Sequence, residues 1–144
     1  MKTRLPHALV FVRIMVGSVF LSEGVQKFLF PDQLGVGRFA KIGIPWPKVM
    51  APFVGAVEIL AGLLILLGFF VLWAAIALLI DISVALIATK LPIFLGTPLW
   101  IFSLQKLPSY GWWSVLHEAR TDWCMFLGCL ALIVSYARKN APGK

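Results

Sequence analysis

Five charged side chains stand inside stretches of sequence that are otherwise apolar enough to cross a membrane. They are Arg13, Glu23, Lys27, Glu58 and Asp81. A charge in hydrocarbon costs at least about 2.5 kcal/mol on insertion scales, so such residues are rare, usually paired and usually functional. Carboxylates beside Arg or Lys can hold a polar headgroup or pass protons when a bound quinone is reduced. The sequence therefore predicts a charged interior between helices.

The depth of these residues along their helices predicts which of them meet. Glu58 lies ten residues before Gly68, and Asp81 lies ten residues after Val71. Both carboxyls therefore sit about 15 Å from the same side of the membrane, near the midplane. Arg13 starts nearer that side, and its long side chain could reach toward them. We predict a first layer of Arg13, Glu58 and Asp81.

A second layer is predicted toward the other side of the membrane. Glu23 and Lys27 are four residues apart and share one helical face. Arg120 and Asp122 open the last apolar stretch at the same level, just after His117. The candidate residues for binding a substrate or quinone are thus Arg13, Glu23, Lys27, Glu58, Asp81, His117, Arg120 and Asp122. No catalytic residue and no metal site is assigned.

The composition defines the class of protein that must position these charges. The chain has 144 residues, of which 60% are hydrophobic and 13% charged, so it is predicted to be an integral membrane protein. The net charge of +7 comes largely from basic residues at span ends and in connections. Membrane anchoring explains these residues more simply than nucleic acid does, and no nucleic acid partner is expected.

The apolar stretches predict four transmembrane helices in a single domain, residues 1–144. The apolar region 49–91 would make one helix of about 65 Å, twice the hydrocarbon thickness, so it must fold back, most simply between Gly68 and Trp73. The predicted spans are 8–30, 49–68, 71–90 and 122–136, with Pro92 stopping the third. We expect an all-α, compact up-down bundle with interfacial segments between helices 1 and 2 and between helices 3 and 4.

Small residues and connections complete the predicted bundle. Close helix contacts are expected at a set of small side chains: Ala51, Gly55, Gly62, Cys124 and Gly128. The connections 31–48 and 91–121 are expected on one side, and the second is aromatic enough to lie in the headgroup layer. Basic residues are nearly balanced between this side and the termini, which carry Lys2, Arg4, Arg138, Lys139 and Lys144. Both termini are predicted to be cytoplasmic.

Several cofactors are excluded by the residue types. The only histidines, His7 and His117, precede different spans on opposite sides, so the chain should bind no haem by itself. The sequence has no Cys-x-x-Cys pair, dinucleotide fingerprint or phosphate loop, and Cys124 and Cys129 are interpreted as packing residues. No covalently bound cofactor is expected, and a diffusible quinone is the candidate.

The charged residues of the spans, together with the residues around them, resemble the pattern of the DoxX family of small bacterial membrane proteins. The matching pieces follow the family order: Arg13-x-x-x-Gly17, Glu23-Gly24-x-x-Lys27, the segment from Phe39 to Pro47, Glu58 followed by Gly62-Leu63-Leu64, and the segment from His117 to Asp122. The resemblance implies a multi-pass, four-span bundle in the bacterial inner membrane, in a family linked to redox partners. Relatives include a subunit of thiosulfate:quinone oxidoreductase, and other members are associated with detoxification of oxidants and thiols.

The residues and the resemblance together predict a membrane subunit that acts with a redox partner protein. It would seat a quinone or a small sulfur-containing substrate in the charged interior, as at most one subunit of an oxidoreductase complex, without a redox centre of its own. The alternative is a non-catalytic anchor or assembly scaffold, in which the charges only pair helices. A small-solute transporter is a third, weaker alternative, because the sequence shows no broken helices or internal repeats.

Overall fold

The computed structural model of the protein describes residues 7 to 140, which fold as a set of helices. In chain order these are α1 (Ala8–Leu29), α2 (Val36–Ile42), α3 (Pro47–Leu67), α4 (Val71–Ala85), a π-helical stretch (Leu86–Lys90), α5 (Leu91–Leu95), α6 (Trp112–Glu118) and α7 (Arg120–Asn140). The predicted all-helical class is confirmed.

Three helices are long and apolar enough to cross a membrane: Ala8–Leu29, Pro47–Leu67 and the continuous Val71–Leu95. Their outward faces carry large apolar side chains, such as Phe11 at 71% and Leu60 at 62% exposure, which is the surface that lipid covers. Helix α7 has a similar length of 21 residues and packs on α4 and α1. The bundle core lies between these four helices, around Val16, Ile65, Leu78 and Leu132.

The reversal between α3 and α4 falls where the sequence predicts it. Helix α3 ends at Leu67, and Gly68 adopts the left-handed conformation with a φ of 83°. The backbone N–H groups of Gly68 and Phe69 donate to the carbonyls of Ile65 and Leu64, as in a Schellman motif. Helix α4 then begins at Val71. The chain folds back with only Gly68, Phe69 and Phe70 between the helices.

Helices α1 and α3 approach closely at glycines. A Cβ atom on Gly62 would lie 2.8 Å from the backbone nitrogen of Leu21 and 2.9 Å from the carbonyl oxygen of Gly17. A Cβ atom on Gly24 would lie 2.7 Å from the carbonyl oxygen of Gly55. The predicted small-residue contacts are thus present at Gly55 and Gly62, and they bring the two backbones together.

Two predictions about this bundle are wrong. Pro92 does not stop the third span: the π-helical stretch before it lets the helix continue to Leu95, and Gly96, at a φ of 69°, ends it. Proline lacks an N–H and clashes with the carbonyl four residues earlier, and a π-helical turn relieves that conflict. Cys129 is buried in the core as predicted, but Cys124 is exposed on α7 and is not a packing residue.

The two connecting segments meet on one side of the bundle, as predicted. The backbone N–H of Ser103 donates to the carbonyl of Ile42 at 2.9 Å, and the Ser103 hydroxyl donates to the carbonyl of Lys41. Trp100 and Trp113 in the second segment are 84% and 81% exposed, consistent with the predicted position in the headgroup layer. Three basic residues used in predicting orientation, Lys2, Arg4 and Lys144, lie outside the described residues.

Candidate functional site

A cavity of about 320 Å³ lies inside the bundle. Helices α1, α2, α3, α4 and α7 and the π-helical stretch all contribute to its wall. Most of the wall is apolar, including Phe20, Phe39, Val54 and Met125. Charged side chains lie at two places in this wall. The cavity is therefore mostly apolar with a few localised polar contacts, which is typical of small-molecule binding sites.

The first group, here called the inner cluster, consists of Glu23, Lys27, Glu58 and Asp81. The Lys27 Nζ lies 2.6 Å from Glu58 Oε2 and 4.0 Å from a carboxylate oxygen of Glu23. The side chains of Lys27 and Glu58 are only 10% and 6% exposed, whereas that of Glu23 is 49% exposed. The Asp81 carboxyl lies within interaction distance of both Glu58 and Lys27. Charged side chains from three helices, α1, α3 and α4, thus meet in the inner cluster.

The local structure explains why these residues meet. Side chains on a helix tilt toward its N-terminus, so Lys27, near the end of α1, extends back into the span. The close contact between Gly24 and Gly55 places Lys27 beside α3, where Glu58 lies near the middle of the helix. The Lys27–Glu58 pair therefore depends on the glycine contacts between α1 and α3.

The second group, here called the outer pair, is the ion pair between Lys90 and Asp122. The Lys90 Nζ lies 3.2 Å from Asp122 Oδ2, and the side chains are 12% and 26% exposed. Lys90 is the last residue of the π-helical stretch, and Asp122 is in the first turn of α7. The outer pair lies toward the connection side, so the two groups face the cavity at different depths.

Arg13 is placed away from the cavity, so the predicted layer of Arg13, Glu58 and Asp81 does not form as such. Its Nε and Nη2 donate hydrogen bonds of 2.9 Å to the carbonyls of Ile65 and Leu66. These carbonyls end α3, where the helix dipole is negative and the last carbonyls lack helical partners. Arg13 therefore acts as a helix cap. Depth along the span was right, but rotation about the helix axis was not fixed by the sequence.

The predicted second layer is also divided. Asp122 lines the cavity, but its partner is Lys90 rather than a member of the inner cluster. Arg120 is exposed, and its Nη1 lies 3.0 Å from His117 Nε2 and 2.9 Å from the His117 carbonyl oxygen. His117 lines a separate surface pocket near Trp113 and Glu118. Arg120 and His117 are therefore not part of the cavity wall.

Sequence reasoning missed two cationic residues of the site. Lys90 was predicted only as the end of the third span, and Arg38 was not among the candidate residues, but both line the cavity. Arg38 is exposed on α2, and no acidic side chain of residues 7–140 lies within ion-pair distance of it. The proximity of Lys90 to Pro92 was the available signal, because helix distortions of this kind are frequent at functional sites.

The position of Arg13 leads to a first prediction, for the substitution Arg13→Met. We expect it to lower the free energy of unfolding by about 1–3 kcal/mol, because the carbonyls of Ile65 and Leu66 lose a charged donor. Thermal unfolding in mild detergent measures this loss. Ligand binding in the cavity should be unchanged. A normal stability with impaired binding would place Arg13 in the site instead.

The fold and the site together define a small helical membrane protein with paired charges around an internal cavity. A family model described as DoxX matches residues 8–91, and the chain belongs to this family. The matched region includes the whole inner cluster, whereas Asp122 lies beyond it.

The chain is similar to two curated proteins, of which the first is described as a membrane protein. An uncharacterized membrane protein of Mycobacterium tuberculosis is 44% identical over 135 residues, covering 90% of this chain and 76% of that protein. An uncharacterized protein of Haemophilus influenzae is 36% identical over 81 residues, covering 56% of this chain and 57% of that protein. No solved structure shows a significant match.

Proposed function

We propose that this protein is a membrane subunit of a redox system whose cavity seats a quinone headgroup. The single observation that supports this is a largely apolar cavity, of about 320 Å³, lined at two depths by a buried and a partly buried ion pair. This volume is in the range of small-molecule sites, and the apolar walls suit a substituted ring. A small sulfur-containing anion is the alternative ligand.

The proposal includes a fourth transmembrane helix, α7. A helix of 21 residues is about 32 Å long, which matches the hydrocarbon thickness. It packs on α4 and α1, and Asp122 at its start is paired with Lys90. With four spans both termini lie on one side, proposed to be the cytoplasmic side of a bacterial inner membrane.

The side chains at the cavity supply what a quinone headgroup needs. The Lys27 ammonium can donate to a carbonyl oxygen, and the carboxylates of Glu58 and Asp81 can accept protons from a hydroxyl. Glu23, half exposed and 4.0 Å from Lys27 Nζ, adds a third carboxylate beside these groups. The chain would position the headgroup and exchange protons with it, while electrons come from a partner protein.

A non-catalytic scaffold is the second candidate, and one observation favours it. Each ion pair joins helices: Lys27–Glu58 joins α1 to α3, and Lys90–Asp122 joins the π-helical stretch to α7. Such pairs could exist only to specify helix packing. However, interiors that serve packing alone are filled to high density, whereas these charges surround a cavity. The cavity favours ligand binding over scaffolding.

The test is quinone binding by the full chain purified in mild detergent. We expect co-purified quinone in a lipid extract and saturable binding of a short-tailed benzoquinone or naphthoquinone by titration calorimetry. Binding should weaken at least tenfold in Glu58→Gln, because the buried contact with Lys27 is altered. Glu118→Gln, a matched change outside the cavity, should bind normally.

The scaffold gives a different result in the same experiment. It predicts that no quinone binds and that Glu58→Gln affects only stability or recovery of a partner protein. Thiosulfate, added to the same preparations, tests the sulfur-containing alternative. Saturable thiosulfate binding without quinone binding would replace the quinone as the proposed ligand.

A further inference from the structure

The inner cluster is unusually rich in hydrogen-bond acceptors. It contains three carboxyl groups, those of Glu23, Glu58 and Asp81, but only one cationic donor group, Lys27. A carboxylate only accepts hydrogen bonds, and an ammonium only donates them. The supply of acceptors around this part of the cavity therefore exceeds the supply of donors.

The Lys27 ammonium is already engaged by its neighbours. It contacts Glu58 Oε2 at 2.6 Å and lies 4.0 Å from Glu23. Glu58 Oε2 is buried, and the Lys27 ammonium is the cation that contacts it. Buried polar atoms are nearly always hydrogen-bonded, and one ammonium cannot satisfy the oxygens of three carboxyl groups, so the acceptors that remain in the cavity wall favour a donor brought by a ligand.

A proton on the carboxyl groups would not remove this excess. Glu58 and Asp81 interact directly with each other. A single hydrogen between them would be used within the pair, because two adjacent carboxyls share it. The remaining oxygen lone pairs would still face the cavity as acceptors.

We infer that the inner cluster selects a ligand whose polar end donates hydrogen bonds. The inference rests on the proposed function: for a quinone couple it means that the cavity binds the reduced quinol, with two hydroxyl groups, more tightly than the oxidised quinone. A quinone oxygen only accepts, so next to the inner cluster it would meet carboxylate oxygens without offering them a donor. A quinol hydroxyl provides the missing donor.

The outer part of the cavity is compatible with the same ligand. Donors there come from Lys90, although it is paired with Asp122, and from Arg38, which has no acidic partner among residues 7–140. A hydroxyl group both donates and accepts, so a para-quinol can donate at the inner cluster and accept at the outer part. A quinone oxygen finds donors at the outer part but, at the inner cluster, only the Lys27 ammonium, which the carboxylates already engage.

The test compares the two redox forms on the purified full chain, without oxygen. A short-tailed quinone is titrated as such, and after reduction by dithionite it is titrated as the quinol. We expect the quinol to bind at least about tenfold more tightly, because sites built to bond a hydroxyl reject analogues that lack it. Tenfold tighter binding of the quinol raises the two-electron midpoint potential of the bound couple by about 30 mV.

Two isosteric variants locate the preference. Glu58→Gln and Asp81→Asn each replace a carboxylate oxygen by an amide N–H donor, so quinol binding should weaken more than quinone binding and the ratio of quinone to quinol dissociation constants should fall toward one. Glu118→Gln, outside the cavity, should keep the ratio of the unchanged protein. Where a variant fails to fold, the ratio of quinone to quinol dissociation constants in the unchanged protein still tests the preference for the quinol.

The outcomes separate this inference from the proposed function. Equal binding of both forms, or tighter binding of the quinone, overturns the inference and leaves the quinone site standing. Failure of both forms to bind overturns the proposed function itself. A quinol preference that persists in both variants also overturns the inference, because the inner cluster would not be its cause.

Discussion

The substitution Lys27→Met is expected to lower the free energy of unfolding by about 3–5 kcal/mol, the range found when one partner of a buried ion pair is removed. Glu58 would keep its carboxylate inside the bundle, 4% exposed, without the cation that lies 2.6 Å from it. Asp81, which also interacts with Lys27, would lose the same cation. Unfolding by denaturing detergent, followed by far-UV circular dichroism, measures the change.

A matched control and a compensating variant test the cause of this loss. Lys106→Met removes a lysine that is exposed in the second connection, so stability should stay within about 0.5 kcal/mol of the unchanged protein. The double variant Lys27→Met with Glu58→Gln should recover a large part of the loss, because the unpaired carboxylate is removed. It should not recover ligand binding. A Lys27→Met protein of normal stability would contradict the buried pair.

The substitution Gly62→Leu is expected to separate α1 from α3 and to cost about 3 kcal/mol or more in unfolding free energy, beyond ordinary overpacking. A Cβ atom at this position would lie 2.8 Å and 2.9 Å from backbone atoms of Leu21 and Gly17, and backbone cannot yield as a flexible side chain does. Since the same contact surface aligns Lys27 with Glu58, ligand binding should be lost as well.

The control for this variant is a leucine on the outward face of the same helix. Ala56→Leu lies on α3 at an exposed position, so the added atoms enter lipid and stability should change little. Both variants are measured by detergent unfolding and by the quinone titration. Stability and binding of Gly62→Leu equal to those of Ala56→Leu would contradict the close contact of α1 and α3.

The helical elements were readable from the sequence because each depends on short-range properties. Apolar runs of about 20 residues define α1 and α3, and Gly68 marks the reversal because it has no Cβ to oppose a left-handed φ. The prediction that Pro92 ends the third span was wrong because it, too, used only a short-range property. The local preference of Pro92 is to end a helix, and a π-helical stretch, stabilised by the surrounding packing, overrides that preference.

The site was only partly readable, because pairing depends on rotation and packing of whole helices. Residues that share one helix, such as Glu23 and Lys27, were placed together by their spacing alone. Asp122 was predicted in one layer with Glu23, Lys27 and Arg120, but the residue that pairs with it is Lys90, which that layer did not include. Arg13 was at the expected depth but turned toward the end of α3.

The sequence by itself determined that this protein lies in a membrane, that its chain reverses at Gly68 and that ionised groups occupy its interior. These follow from the cost of placing apolar surface in water and charge in lipid, which is a property of each segment alone. Only the tertiary structure decided that Lys27 pairs with Glu58, that Lys90 pairs with Asp122, and that a cavity remains between them. Those contacts are set by glycine-mediated backbone approach and helix rotation, which residues distant in the chain establish together.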